Sequence, residues 1–317
     1  MAALSPAGNS TAVTELINTE AIGSFIEQLN RTIPVWFEAA RLVDTTADRS
    51  NTRTFPSSDG MTVPLSESSG KTETDEYAYT APSYSEVTIT HAKVGIRTNL
   101  SDEALQDATG NVLAQSVMDH FEGMNQQEDT DFLSNITSAT NANDESGNDL
   151  SIAIFNETVG QIRALNPHAG RLIAVLQPIQ VQDLSAAILA SQGAIFGGQL
   201  GNQAAAGIVS FRRGFVDTYQ GVDIYENGNV PQFDASNWSG ALMVAGEPHG
   251  AIAMCMKDPF VPAEFASTKA MRRLPRKHLM SMDWLHGRDA FDLVTRARYG
   301  TGIVNQNHIV ELITSKT

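Results

Sequence analysis

Apolar residues recur at spacings of three and four over a long segment in the first half of the chain, which is the period of one helix face. The series is Leu105, Ala108, Val112, Leu113, Val117, Phe121 and Met124, and it resumes at Phe132, Leu133 and Ile136. Ser101 is a suitable N-cap, and the two acidic residues after it favour the first turn. We predict one helix over residues 101–136, about thirty-five residues and roughly 50 Å long. Gly110 and Gly123 are the points at which it is weakest.

The segment before this helix is polar and has few large apolar residues. Residues 52–55 and 61–65 have a strand-like pattern and flank Asp59-Gly60, a strong hairpin signal. A longer strand pattern covers residues 84–97. We predict a two-stranded arm with a charged tip. Because an isolated ribbon is marginally stable in water, the arm is expected to lie on another surface, such as a neighbouring subunit.

The second half of the chain has alternating helix-like and strand-like segments. Residues 171–176 read as a buried strand, and a helix is predicted from Pro178. Residues 241–245 and 251–256 form a hairpin-like pair of strands. The pattern predicts a mixed α/β region after residue 150.

Composition and charge narrow the function. The chain has 317 residues, 42% of them hydrophobic and 18% charged, so a sizeable core is expected. The net charge is −15; residues 1–150 have 23 acidic and 7 basic side chains (−16), and residues 151–317 have 13 and 14 (+1). Sequence-independent nucleic-acid binding needs cations to replace counterions, so an acidic half argues against it.

One local basic cluster stands out against this acidic background. We define the basic cluster as Lys269, Arg272, Arg273, Arg276 and Lys277. It is either a solvated strand or loop edge or a contact with an acidic neighbouring chain.

No pattern of catalytic or metal-binding residues emerges from the sequence. The only cysteine, Cys255, lies in an apolar run and is expected to be buried, so neither a disulfide within the chain nor a cysteine-rich zinc site is predicted. The glycine-rich residues 193–201 lack a phosphate-loop motif, no Gly-x-Ser-x-Gly elbow occurs, and the seven histidines are scattered. We therefore predict no enzyme activity, no cofactor and no metal.

No targeting or membrane segment is predicted. The first residues lack the basic and apolar regions of a signal peptide, and no apolar run approaches the ~18 residues of a membrane span. The chain is expected to be cytosolic at synthesis.

The order of these elements resembles a known family. An N-terminal arm, a polar hairpin, a strand, the run from Arg97 to Asp107, a long helix and a mixed α/β region follow one another as in major capsid proteins of tailed double-stranded DNA bacteriophages. Residues 172–178, 219–225 and 291–300 also resemble family segments. The resemblance implies an α+β fold of the Hong Kong 97 type. It covers nearly the whole chain through the order and spacing of weak motifs.

The resemblance also implies a division of the chain. Residues 1–49 would be the N-terminal arm and residues 50–90 the extended loop. Residues 91–149 and 256–297 would form the peripheral domain on the long spine helix, and residues 150–255 and 298–317 the axial domain. Loop residues expected to contact a neighbouring subunit are Phe55, Asp59, Met61, Leu65, Lys71, Glu73, Asp75, Glu76, Tyr77 and Tyr79. The basic cluster is the second expected contact.

The implied partner is the protein itself, as pentamers and hexamers of an icosahedral shell. A portal protein and decoration proteins are further expected partners, and the shell would enclose DNA without sequence-specific binding. Only about fifty residues precede the loop, so scaffolding is expected from a separate protein, if any. The implied location is the virion capsid, after assembly in the host cytoplasm.

Some members of the family join the loop to the peripheral domain through a Lys–Asn isopeptide bond. Lys71 is the one lysine candidate here, and no asparagine occurs between Asn237 and Asn305. We predict no such cross-link.

Two other readings stay open. An encapsulin-type bacterial compartment has the same fold but encloses cargo enzymes. A soluble α/β enzyme would be a compact monomer or a small oligomer.

Overall fold

The structure is a computed structural model that describes residues 34–58, 84–107, 112–166, 170–195, 215–246, 250–259, 271–273, 277–285 and 289–316. The helices are α1 Trp36–Ala39, α2 Asp102–Asp107, α3 Val112–Leu133, α4 Ile152–Leu165 and α5 Pro178–Ile195, with 3-10 turns at Ser134–Ser138 and Gln306–His308. The strands are β1 Arg41–Asp44, β2 Thr52–Ser58, β3 Tyr84–Thr90, β4 Ala92–Ser101, β5 Ala142–Asp144, β6 Leu172–Leu176, β7 Phe215–Tyr219, β8 Val222–Glu226, β9 Asn237–Val244, β10 Ile252–Met256, β11 Met271–Arg273, β12 Leu279–Leu285, β13 Ala290–Ile303 and β14 Ile309–Ser315.

The first sheet is built around the long strand β13. Its order is β1-β10-β13-β12-β11, and β4 also pairs with β13. β13 is antiparallel to all three of its neighbours: β4 over residues 290–299, β12 over 290–296 and β10 over 299–303. Helix α3 packs on this sheet, with Phe121 and Val117 against Met280 and Leu293.

The second sheet has the order β5-β14-β9-β6-β8-β7. All five residues of its strand β6 are buried, as the apolar run at 171–176 predicts. Helices α4 and α5 cover one face, where Phe155, Ile162 and Leu184 join the core. The Ser151 side chain caps α4 by accepting a hydrogen bond from the Ile154 amide at 3.3 Å. The mixed α/β region predicted after residue 150 is confirmed.

A shared core joins the two sheets. Trp36 of α1 and Phe132 of α3 are buried in one cluster with Ile173 of the second sheet and Met254 of the first. Each of these four side chains is almost fully withdrawn from solvent. The two sheets therefore pack through a continuous apolar interior.

The predicted spine helix is helical over α2 and α3, and residues 108–111 between them lie outside the described residues. The Ser101 side chain caps α2, since its Oγ accepts a hydrogen bond from the Ala104 amide at 3.2 Å. Gly123 lies inside α3 without breaking it. Gly110 is outside the described residues. The α-helix ends at Leu133 and continues as a 3-10 turn, so its predicted end at residue 136 is wrong by one turn.

Two strand predictions need correction. The strand predicted over residues 84–97 is two strands, because the pairing breaks at His91: β3 pairs with β2, whereas β4 pairs with β13. The strands near residues 241–245 and 251–256 are not a hairpin, since β9 belongs to the second sheet and β10 to the first. Strand-like apolar patterns lie on both sides of each junction, so the type of element is readable from the sequence but its pairing partner is not.

The proposed domain boundaries stay a prediction, because strand pairing assigns residues to sheets and not to domains. Among the described residues, no helix is both long and apolar enough to cross a membrane.

Candidate subunit-contact regions

The loop hairpin, β2 with β3, is the described part of the predicted extended loop. Its strands pair antiparallel from Thr52 with Thr90 to Ser58 with Tyr84. Of the ten expected contact residues, only Phe55 is described; the other nine, Asp59, Met61, Leu65, Lys71, Glu73, Asp75, Glu76, Tyr77 and Tyr79, lie outside the described residues. Contact between this loop and a neighbouring subunit therefore stays a prediction.

Phe55 is buried against its own chain. It packs in a small core with Ile89, Ala253, Cys255 and Val304, and the Arg41 guanidinium lies 5.3 Å from its ring centroid. Phe55 thus anchors the hairpin to the first sheet. Its neighbours on β2 from Thr52 to Pro56 are exposed.

The base of the hairpin lies close above β13, and two glycines permit this approach. A Cβ at Gly300 would clash with the carbonyl oxygen of Thr90 and lie 2.9 Å from Ile89 Cγ2. A Cβ at Gly302 would lie 3.1 Å from Ile89 Cγ1. Side chains at these positions would force the hairpin away from the sheet.

The turn at residues 45–51, between β1 and β2, is held by three cationic side chains. Lys257 Nζ donates to the carbonyl oxygens of Asp48 and, at 2.9 Å, of Ser50. Arg298 donates to the Asn51 side chain, and Lys277 donates to Thr46 Oγ1 at 3.0 Å. The loop hairpin therefore leaves the sheet from a fixed turn.

The structure places the basic cluster only in part. Lys269 and Arg276 lie outside the described residues. Arg272 and Arg273 belong to the edge strand β11, which pairs with β12, and nothing is described of their side chains. Lys277 forms an ion pair with Asp44 of its own chain. This contact, followed by hydrogen bonds from Thr46, lowers the pKa of Asp44 from 3.8 to about 2.

The buried face of α3 is partly polar. His120 Nε2 lies 2.6 Å from Thr98 Oγ1 of β4, and its Nδ1 lies 3.1 Å from Thr295 Oγ1 of β13. Burial lowers the pKa of His120, which favours the neutral ring, and one ring proton with one hydroxyl proton suffices for both contacts. At Gly123 the helix backbone comes so near β4 that a Cβ would lie 2.9 Å from Ile96 Cδ1.

Three carboxylates near the end of α3 connect it to other parts of the fold. Glu128 Oε1 lies 2.5 Å from His278 Nε2. Asp129 accepts from the Trp36 amide at 3.2 Å and from the Asn227 side chain at 2.6 Å. Asp131 accepts from the Tyr299 hydroxyl at 2.6 Å, and burial together with this carboxylate raises the pKa of Tyr299.

Sequence reasoning missed these polar contacts. The periodicity identifies the apolar positions of α3 but assigns no role to His120, Glu128 or Asp129, which lie on the same buried face. Each partner is distant in the sequence, since Glu128 and His278 are 150 residues apart. The available signal was a charged residue at a helical position that should face the core.

Neither a metal site nor a reactive thiol is found in the described part of the chain. Within it, no group of three or more His, Cys, Asp or Glu side chains is placed to hold a metal ion. Cys255 is buried, and burial raises the pKa of its thiol to about 11. The polar groups described above form hydrogen bonds between different helices and strands, and such networks stabilise the fold.

Comparison with known proteins supports the fold. No family model and no curated protein matches the chain. Solved capsid structures do match: that of the cyanophage P-SCSP1u covers 90% of both chains at 11% identity with a TM-score of 0.61. The Ralstonia phage GP4 capsid covers 90% of this chain and 92% of its own at 11% identity and a TM-score of 0.60.

The mature capsid of bacteriophage PhiM1 aligns over 88% of this chain and 86% of its own, at 13% identity and a TM-score of 0.59. The chain has the Hong Kong 97-type capsid fold. The α+β class implied by the resemblance is thereby confirmed. The assignment of the loop hairpin to the extended loop and of α3 to the spine helix stays a prediction.

Proposed function

We propose that this protein is the major capsid protein of a tailed double-stranded DNA bacteriophage, assembling as pentamers and hexamers into an icosahedral shell around packaged DNA. The observation that carries the proposal is likeness along almost the whole chain, about 90% in the cyanophage and Ralstonia phage comparisons, to proteins that form phage capsids. The protein is then structural and needs no cofactor. Its partner surface is another copy of itself.

The loop hairpin supports this proposal physically. It is a two-stranded ribbon attached to the body through Phe55 and Ile89, with exposed residues on both strands beyond that base. A ribbon of this kind has too little core to be stable alone. A neighbouring subunit would supply the missing surface, as obligate interfaces of this sort bury thousands of square ångströms.

Shortening the loop tests its role directly. Ser58 and Tyr84 are paired, so replacing residues 59–83 with Asn-Gly closes the ladder with a two-residue turn. We expect a folded subunit by circular dichroism that no longer forms shells by electron microscopy. Lys71→Gln, which changes one charge within the same segment, is the matched control and should assemble. Normal shells from the shortened chain would contradict the proposed loop contact.

The basic cluster is the second proposed subunit contact. Since Lys277 is paired with Asp44 of its own chain, Arg272 and Arg273 on the edge strand β11 are the better candidates for an acidic neighbour. We expect Arg272→Glu with Arg273→Glu to impair assembly, and Arg272→Lys with Arg273→Lys to retain it because the charge is kept. Equal assembly of both double variants would argue for a solvated edge.

The proposed shell encloses DNA without gripping it. Residues 1–150 have a net charge of −16, and α3 contains no lysine or arginine. Such a surface repels phosphate rather than binding it. A portal protein, separate scaffolding and decoration proteins would complete a virion assembled in the host cytoplasm.

Electron microscopy of the purified full-length chain, expressed alone and from an infected host, tests the whole proposal. We expect closed shells, and in the second case a tail vertex and DNA inside. Shells with enclosed enzymes and no tail vertex would instead favour an encapsulin-type compartment. A compact monomer or small oligomer by light scattering, under conditions where the chain is folded, would favour the enzyme reading.

A further inference from the structure

His91 occupies the junction where the chain leaves the loop hairpin and enters the first sheet. It lies between β3 and β4, and only 4% of the residue is exposed. Its backbone amide donates to the Asn51 carbonyl oxygen at 2.9 Å, just beyond the first pair of the hairpin. The ring therefore sits at the point about which the hairpin would have to move.

The His91 ring makes two short contacts, and one of its partners, the Thr45 hydroxyl, makes a third. Nδ1 lies 2.7 Å from the Asn51 carbonyl oxygen, which can only accept, so Nδ1 donates. Nε2 lies 2.7 Å from Thr45 Oγ1, and the same hydroxyl lies 3.0 Å from the Met256 carbonyl oxygen. The chain of contacts links Asn51 before the hairpin to Met256 at the end of β10.

Counting protons shows that the contacts depend on the charge of the ring. Three contacts need three protons, whereas a neutral ring and one hydroxyl supply two. With His91 neutral, the Thr45 hydroxyl must donate to Nε2, and Met256 keeps only the Thr45 amide at 2.9 Å. With both ring nitrogens protonated, Nε2 donates to Thr45, and the hydroxyl donates to Met256. All three contacts are then made.

His120 provides an internal comparison. Its ring contacts two threonine hydroxyls, Thr98 and Thr295, and a neutral ring satisfies both. The buried histidines of this sheet therefore differ in the number of protons that their contacts require. Of these two histidines, His91 is the one whose contacts gain from a second ring proton.

The charged groups around His91 set the electrostatic background. The charged side chains on the elements that meet at this junction include Arg41, Asp44, Asp48, Arg49, Arg53, Glu86, Lys93, Arg97, Lys257, Asp258, Lys277 and Arg298. Asp44 is paired with Lys277 and Asp48 with Arg53. Lys257 and Arg298 donate hydrogen bonds to the turn at residues 45–51.

We propose that His91 forms an acid-sensitive contact at the base of the loop hairpin. Protonation of its ring completes the hydrogen bonds from Asn51 through Thr45 to Met256 and holds the hairpin base to the first sheet. Loss of that proton removes one hydrogen bond and loosens the base. The device adjusts how firmly the hairpin is held and leaves the body of the fold unchanged. It concerns contacts within one chain and holds for any assembly state.

Hydrogen–deuterium exchange of the full-length protein, read by mass spectrometry, tests the role of His91. Amide protection in β2 and β3 is compared between about pH 6 and about pH 8, the range in which histidine commonly titrates, after correction for intrinsic exchange. We expect protection at the lower pH to be about three- to tenfold greater, the value of one hydrogen bond. Peptides from β6 in the second sheet should show no such change.

Two variants assign the effect to His91. His91→Gln keeps a donor for Asn51 and an acceptor for Thr45 but does not titrate, so its hairpin protection should not change with pH. His308→Gln, a histidine change outside the junction, should keep the wild-type dependence. Thr45→Val removes the hydroxyl between His91 and Met256 and should also abolish the dependence, which gives a second test if His91→Gln fails to fold.

Wild-type protection that is equal at the two pH values, or greater at the higher one, would overturn the proposal. A His91→Gln protein that keeps the wild-type pH dependence would overturn it equally.

Discussion

Glu128 on α3 and His278, just before β12, are hydrogen-bonded at 2.5 Å with neither side chain exposed to solvent. The pair connects α3 to β12, a strand of the first sheet. Within the described part of the chain, Glu128 Oε2 and His278 Nδ1 have no hydrogen-bond partner. Each residue therefore depends on the other for its one strong contact.

Removing one member of this pair should be costly. Glu128→Leu leaves a polar ring buried without its partner, so we expect the free energy of unfolding to fall by about 3–5 kcal/mol. Glu128→Leu with His278→Leu removes both polar groups and should recover most of the loss. Urea denaturation of the subunit measures both. Asp119→Asn, on the exposed face of the same helix, is the control and should change stability by less than about 0.5 kcal/mol. A double variant no more stable than the single one would refute the pairing argument.

Two glycine-to-alanine changes should have opposite signs. Gly300→Ala places a methyl group against the Thr90 carbonyl and Ile89, and we expect about 1–3 kcal/mol of destabilisation. Gly160→Ala lies on α4, where a Cβ meets nothing within 4 Å, and should stabilise the helix by up to about 1 kcal/mol. Thermal unfolding compares the two, and proteolysis of the hairpin should increase only in the Gly300 variant. A neutral Gly300→Ala would mean that the hairpin does not lie as close to β13 as described.

Glu311 should make the second sheet less stable as the pH rises. Burial, together with the charge of Asp144, raises the pKa of this carboxyl above its usual 4.5, although a hydrogen bond from Ser239 opposes the shift. Because the folded-state pKa lies above the unfolded one, the associated stability is present at pH below 4.5 and is lost as the pH rises through the folded value. Glu311→Gln mimics the protonated group, so the variant should be at least as stable as the wild type at neutral pH. It should also lose less stability between acid and neutral pH.

Unfolding temperatures measured from about pH 4 to about pH 8 check this. Glu145→Gln, a half-buried residue just after β5, should follow the wild-type profile. Parallel profiles for wild type and Glu311→Gln would contradict a buried protonated carboxyl.

The Asp44–Lys277 ion pair should contribute to stability only above acid pH. The pKa of Asp44 is lowered from 3.8 to about 2, so its contribution to stability is present above 3.8 and is lost as the pH falls towards 2. The difference in unfolding temperature between wild type and Lys277→Gln should therefore shrink across that window. We expect the difference to be small throughout, because Asp44 is largely exposed. Lys93→Gln is the comparison variant, and a gap that widens in acid would contradict the assignment.

Mature particles should show no covalent ladder on a denaturing gel. Lys71 is the only lysine of the predicted loop, and the chain has no asparagine between Asn237 and Asn305 to accept it. Lys71→Arg particles, in which the amine is removed, provide the reference pattern. Bands of linked subunits in the wild type alone would show that the prediction is wrong.

The elements that were predictable from the sequence are those whose burial is set locally. The strand β6 is buried along its whole length, and its apolar run shows this directly. Ser101 caps its helix through a residue three positions away, so capping chemistry was also readable.

What the sequence did not reveal depends on distant partners. The break at His91 follows from Asn51 and Thr45, which lie 40 and 46 residues away. Alternation of apolar residues continues on both sides of it, so periodicity predicts one strand. The expected subunit contacts are harder still, since a single chain does not contain the surface that they meet.

The long strand β13 has a mechanical consequence. The hairpin continues through His91 into β4, which is joined to β13 by ten registered pairs. Ladder bonds lie perpendicular to the strands, so a pull on the hairpin along β4 loads them in shear, many at once, instead of peeling them apart one by one. β13 passes that load sideways to β12 and β10. A force on the loop hairpin is therefore distributed over the whole first sheet, which resists tension far better than a single junction would.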